Sequence, residues 1–212
     1  MADRKRQTSE VVPLERRAVD RSNLPALLHV ERLLRRNERG ITRTFIPALR
    51  ATPSDASPEM RALCDQVCRE ALSEMLAGAA PMPALRAIGD ALDEALAAEP
   101  DEGVIEACLA ALIDTRVKLP HNLPVYLEAL IYDLRDEGFP PAVVAAACQR
   151  IRRESVFLPE ISEVLATCRE TLARYREQQV RVVQALETRR KAEAWLADLT
   201  KSGSEIHDGA GR

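Results

Sequence analysis

Apolar residues recur along this chain at three- and four-residue intervals, the spacing that lines one face of an α-helix. The first such face is Leu24, Leu27, Leu28, Val30 and Leu34, with Ser22 or Asn23 as a cap, Pro25 in the first turn and Gly40 as the stop. A short element from Ile41 to Leu49 follows, broken at Pro47. Ser57 then caps, and Pro58 opens, a helix to about Ala77 whose face is Leu63, Cys64, Val67, Ala71, Leu72, Met75 and Leu76. The next helix runs from Pro83 to Ala98 on Leu85, Ile88, Leu92 and Leu96.

From Pro100 to Cys168 the pattern repeats with an offset of 39 residues. Val104, Ala107, Val117, Leu119, Pro120 and Val125 return as Val143, Ala146, Val156, Leu158, Pro159 and Val164. Each copy reads as helix, extended break, helix. The first has helices near Glu102–Thr115 and Leu123–Glu137, the second a helix over Pro141–Glu154. The breaks contain Leu119-Pro120 and Phe157-Leu158-Pro159, and the recurrence predicts Phe157 and Leu158 as core anchors.

A last helix opens at Pro159 and meets no further Gly or Pro until Gly203, about 40 residues or roughly 60 Å. A seam runs through Ile161, Leu165, Cys168, Leu172, Tyr175, Gln179, Val182 and Leu186, then fails at Arg189 and Glu193. Beyond that point Trp195, Leu196 and Leu199 form a separate apolar patch, expected to be a dimer contact or the docking site of a protein partner.

The pattern predicts an all-α multi-helix bundle with an internal helix–break–helix repeat and a long C-terminal helix. Its expected organisation is a mobile charged N-terminus (1–21), a short basic helical module (22–50), a linker (51–58), a compact helical domain (59–175), a projecting helix (176–200) and a disordered tail (201–212).

Composition narrows the function. Only 3% of residues are aromatic, and no apolar run approaches the roughly 18 residues of a membrane span, so a cytoplasmic protein without membrane partners is expected. The five cysteines are odd in number and far apart, which gives no disulfide framework, and His29, His121 and His207 form no ligand pattern with them. No metal and no cofactor is expected. There is no Gly-rich phosphate loop, and no carboxylate has a base, nucleophile or metal partner in the sequence, so no catalytic residue is assigned and the chain is read as a non-enzyme.

Charge is uneven: residues 1–50 carry 12 Lys and Arg against 6 acidic residues, and residues 51–115 carry 3 against 13. Within the basic part, Arg32, Arg35, Arg36, Arg39 and Arg43 are candidate nucleic-acid contacts, since guanidinium groups pair with phosphate.

The run Phe139-Pro-Pro-Ala-Val-Val144, basic residues, and then Val156-Phe-Leu-Pro-Glu-Ile-Ser-Glu-Val-Leu165 resembles helicase loader and helicase inhibitor proteins of phage and prophage replication modules. The resemblance implies a small helical, non-enzymatic adaptor whose protein partner is a replicative helicase. Two other functions fit the residues: a DNA-binding regulator acting through the arginine cluster, and a structural oligomerisation protein, such as a homodimer, built on the C-terminal helix.

Overall fold

A computed structural model of the chain describes residues 21–44, 55–116, 119 and 121–208, with side chains described through residue 201. It is all-α, with α1 (Leu24–Leu27), α2 (His29–Thr42), α3 (Pro58–Gly78), α4 (Met82–Ala97), α5 (Glu102–Ile113), α6 (Leu123–Asp136), α7 (Pro141–Glu154) and α8 (Ile161–Asp208). No strand occurs among the described residues, and no described helix is long and apolar enough to cross a membrane.

Local chemistry sets most helix ends. The Ser57 hydroxyl accepts the Met60 amide at 3.2 Å, with Pro58 in the first turn of α3. Asp101 caps α5 through the Val104 amide at 3.0 Å. After α6, Gly138 turns at φ 69°, where a side chain would be strained, and sends Phe139 back into the core. The Glu163 carboxylate accepts the Glu160 amide at 2.9 Å and starts α8.

Gly40 does not stop its helix. It lies inside α2, where the loop after α3 comes so close that an added Cβ would sit 2.8–3.0 Å from Ala80 atoms. The Ala80 amide donates to the Gly40 carbonyl at 3.2 Å. This glycine serves close approach, not termination. The expected element over 41–49 gives Ile41 and Thr42 to α2, while residues 45–49 lie outside the described residues.

The chain forms two compact units, divided elsewhere than at the 51–58 linker. The first ends its N-terminal part at Leu28 and resumes over Ala95–Ala173; the second takes His29–Glu94 and the chain from Arg174 onward. In the first unit α5 packs on α7 and α6, and α1 packs on α7 and α5. The N-terminal half of α7 is apolar all round, so Ala142 to Cys148 are all buried, as a central helix requires. Val143, Val144, Ile105, Leu109, Leu112, Leu130 and Leu134 form the core.

The second unit corrects the expected projecting helix. Val182, Ala185 and Ala192 of α8 are buried, and 176–200 is part of a core. Leu72, Met75 and Ala79 cluster with Ala192, and Leu196 and Leu199 pack against them. Across this unit Val182 lies 3.7 Å from where a Cβ on Gly89 would be, and Gln179 bonds to Asp93. Nor does the 201–212 segment begin as disordered tail, since α8 runs on to Asp208; residues 209–212, like 1–20, lie outside the described residues. In α3 only the second half meets this core, which leaves Leu63 and Val67 exposed.

The seam continues through Arg189. Its Nη1 donates to the carbonyls of Leu76, Ala79 and Ala80 at 3.1–3.4 Å, capping the C-terminal end of α3, where helical carbonyls lack intrahelical partners. Its Nε pairs with Glu193 at 2.8 Å. Glu31 is likewise buried in this unit, held by the Arg174 guanidinium beside the enclosed Tyr175 hydroxyl. Burial, and then the Glu31 charge, raise the pKa of Tyr175 and keep it protonated.

Two stability tests follow. Leu72→Ala in the fully buried α3 position is expected to cost about 2–5 kcal/mol in denaturant unfolding. Arg189→Leu restores an apolar seam, yet it is expected to destabilise by about 1–3 kcal/mol because buried carbonyls lose their donor; a variant more stable than the parent contradicts this.

Candidate binding surfaces

The break between α7 and α8 is pinned on both sides. The Arg116 guanidinium at the end of α5 donates to the Ser155 carbonyl, and the Tyr126 hydroxyl of α6 donates to the Pro159 carbonyl at 2.8 Å. Between these two ties the Ser155 hydroxyl accepts the Phe157 amide at 3.2 Å and tightens the turn. Pro159 is buried and Leu158 half-buried, but Phe157 is 64% and Val156 61% exposed. Phe157 is therefore not a core anchor. Its equivalent in the first copy, 39 residues earlier, is Lys118, a residue type suited to solvent.

Leu119, Tyr126 and the run Phe157–Ser162 line a groove of about 660 Å³. Leu119 is 48% exposed, while Pro120 and Val117 lie outside the described residues. The repeat pairs Val125 with Val164, and here the copies part: Val164 is buried and Val125 lies in solvent. Burial pushes the Tyr126 hydroxyl from its ordinary 10 up to about 12, so this tie keeps its proton through neutral pH.

The five candidate arginines share a face. At about 100° per residue, Arg32, Arg35, Arg36, Arg39 and Arg43 fall within an arc of about 100°. Val30, Leu34 and Ile41, buried, occupy the opposite side of α2. All five arginines are exposed, and Arg43 extends the row past the last helical residue, its amide still bonded to Arg39.

The apolar patch on α8 is different from expectation. Leu196 and Leu199 are turned into their own unit, and of the three residues only Trp195, 37% exposed, offers surface. Cys108, Cys148 and Cys168 are buried in the first unit, where desolvation pushes Cys108 and Cys168 up to about 12 and raises Cys148 well above its ordinary value. Thiols so shielded stay protonated and weakly nucleophilic. Among the described residues no group of His, Cys, Asp and Glu could hold a metal ion.

Sequence alone does not single out Arg116 or Tyr126, and it reads Arg189 only as the point where the seam ends. For Arg116 a signal existed: it and Ser155, which it binds, are equivalent positions of the repeat, 39 residues apart. Comparison with family models, curated proteins and solved structures returns no match.

Phe157→Ala is expected to leave the melting temperature within the scatter of a surface change, about ±0.5 kcal/mol. Tyr126→Phe is expected to lower stability at pH 8 by about 0.5–1.5 kcal/mol through the lost hydrogen bond. Folded and unfolded chains both hold that proton below pH 10, and the unfolded chain loses it first as pH rises to about 12. The gap between wild type and Tyr126→Phe in thermal unfolding should therefore close across that window.

Proposed function

We propose that this protein is a non-enzymatic adaptor of the kind used in phage and prophage DNA replication modules, where it loads or regulates a replicative helicase. The observation that carries this reading is Phe157. An aromatic side chain left largely in solvent costs hydrophobic free energy, and the flanking backbone is tied down by Arg116 and Tyr126. A fixed, exposed aromatic beside an apolar groove is the usual anchor of a protein–protein contact. It also lies in the segment on which the resemblance to helicase loaders rests.

The test is direct binding of the full chain to the purified replicative helicase of its host, followed by size-exclusion chromatography and calorimetry. Complex formation that Phe157→Ser abolishes supports the reading, provided the variant keeps the parent's melting temperature. No complex, or one indifferent to Phe157, overturns it.

A second reading, a DNA-binding regulator, is favoured by the single-faced arginine row on α2. If all five side chains meet phosphate, the slope of log K against log salt on duplex DNA should be about −4 to −5. Replacing Arg32, Arg36 and Arg39 with Gln should flatten it by about 3. Fluorescence anisotropy with a labelled duplex at several salt concentrations measures both.

A further inference from the structure

We propose that the N-terminal half of α3 is a docking surface for a basic, amphipathic helix of a partner protein. This surface belongs to the second unit and does not involve Phe157, so it stands or falls apart from the adaptor reading.

The apolar part is a stripe that folding leaves uncovered. Met60, Leu63 and Val67 are 51%, 56% and 52% exposed, although the same helix buries Leu72 and Met75 further on. At about 100° per residue the three fall within an arc of about 60° and span about 10 Å of the helix. Large apolar side chains at i, i+3 and i+7 on one face are the anchors by which one helix lies along another. In water each forgoes the free energy that burial would return.

The charge beside the stripe selects the occupant. Residues 51–115 carry 13 acidic residues against 3 basic ones. Glu59, Glu70 and Glu74, all exposed, run along one edge of the stripe, within about 80° of its centre line. Arg61 and Arg69 leave the helix about 120° and 160° from that line. Glu59 and Glu70 accept neutral donors, the Ser57 hydroxyl at 3.2 Å and the Gln66 side-chain amide at 3.0 Å. None of the three glutamates has a cation partner among the described residues.

Such an edge repels phosphate, whether of nucleic acid or of anionic lipid, which leaves a protein as the occupant. A second copy fits poorly. Pairing two α3 stripes antiparallel about a two-fold axis sets glutamate edge against glutamate edge. A helix with Lys or Arg beside its own apolar stripe answers both features of the surface.

The probe is a phage-displayed library of random 16-residue peptides, selected on the full chain and counter-selected on Leu63→Ser. Enriched peptides should carry large apolar residues at three- and four-residue spacing, with Lys or Arg beside them. A fluorescein-labelled representative should bind about tenfold more weakly to Leu63→Ser, the loss of one buried anchor. The double variant Glu70→Gln/Glu74→Gln should weaken it about three- to tenfold, and added salt should weaken it in the parent. Phe157→Ser should leave it unchanged. These positions are exposed, so the variants should keep the parent's melting temperature; the glutamate variant decides the matter if Leu63→Ser does not.

Enrichment of neutral or acidic peptides, affinity indifferent to Glu70 and Glu74, or no enrichment above an unrelated helical protein overturns the inference. So does a concentration-dependent dimer that Leu63→Ser dissolves, which would give the stripe to a second copy. Faster alkylation of Cys64, half-buried beside the stripe, in Phe45→Ser/Leu49→Ser would give it to the chain's own residues and likewise overturn the inference. Each of these outcomes leaves helicase binding through Phe157 untouched.

Discussion

The constraint on which the structure depends is the buried stripe of α8. Val164, Cys168, Thr171, Tyr175, Val182, Ala185 and Ala192 are buried, and Arg189, Leu196 and Leu199 continue the row. Within each unit its repeat is close to 3.5 residues, the spacing that keeps a seam facing that unit's own helices over successive turns. The first turns give the first unit part of its core, and the turns from Arg174 give the second unit a surface on which α2, α3 and α4 can bury apolar side chains. Short helices are marginal in water by themselves, so α2 to α4 hold together through this burial more than through their own propensity.

That stripe also marks where the sequence could be read and where it could not. The helices from α3 onward, the Ser57 cap and the Gly138 stop follow from local chemistry and periodicity and stand in the structure, whereas the first expected helix is broken at Leu28 into α1 and α2, and Asn23 makes no side-chain cap. Past Leu186 large apolar residues are a poor guide to the seam. The buried row passes instead through Ala185 and Ala192, whose small side chains let helices approach, and through Arg189, whose partners are backbone carbonyls 109–113 residues away. No local pattern announces such a bond. Gly40 is the same lesson in reverse: a residue that ordinarily ends helices is here demanded by Ala80 on another element.

Of the candidate surfaces, the arginine row was the more legible, because helical spacing alone predicts a shared face. The groove was less so. Its floor depends on Arg116 and Tyr126, which reach the break from 39 and 33 residues away, and its rim on Phe157, whose apolar character argued for burial. Comparing the two copies position by position, and not only where they agree, sets Phe157 opposite Lys118 and turns it outward.

The distribution of thiols gives the molecule a built-in clock. Cys108, Cys148 and Cys168 are sealed in the first unit, whereas Cys64 and Cys68, half-buried on α3, belong to the second. An alkylating reagent meets the α3 pair in the native state and must wait for an opening event to reach the other three. The kinetics of modification thus resolve into an early phase from one unit and a late phase that times the breathing of the other, without a residue being added or changed.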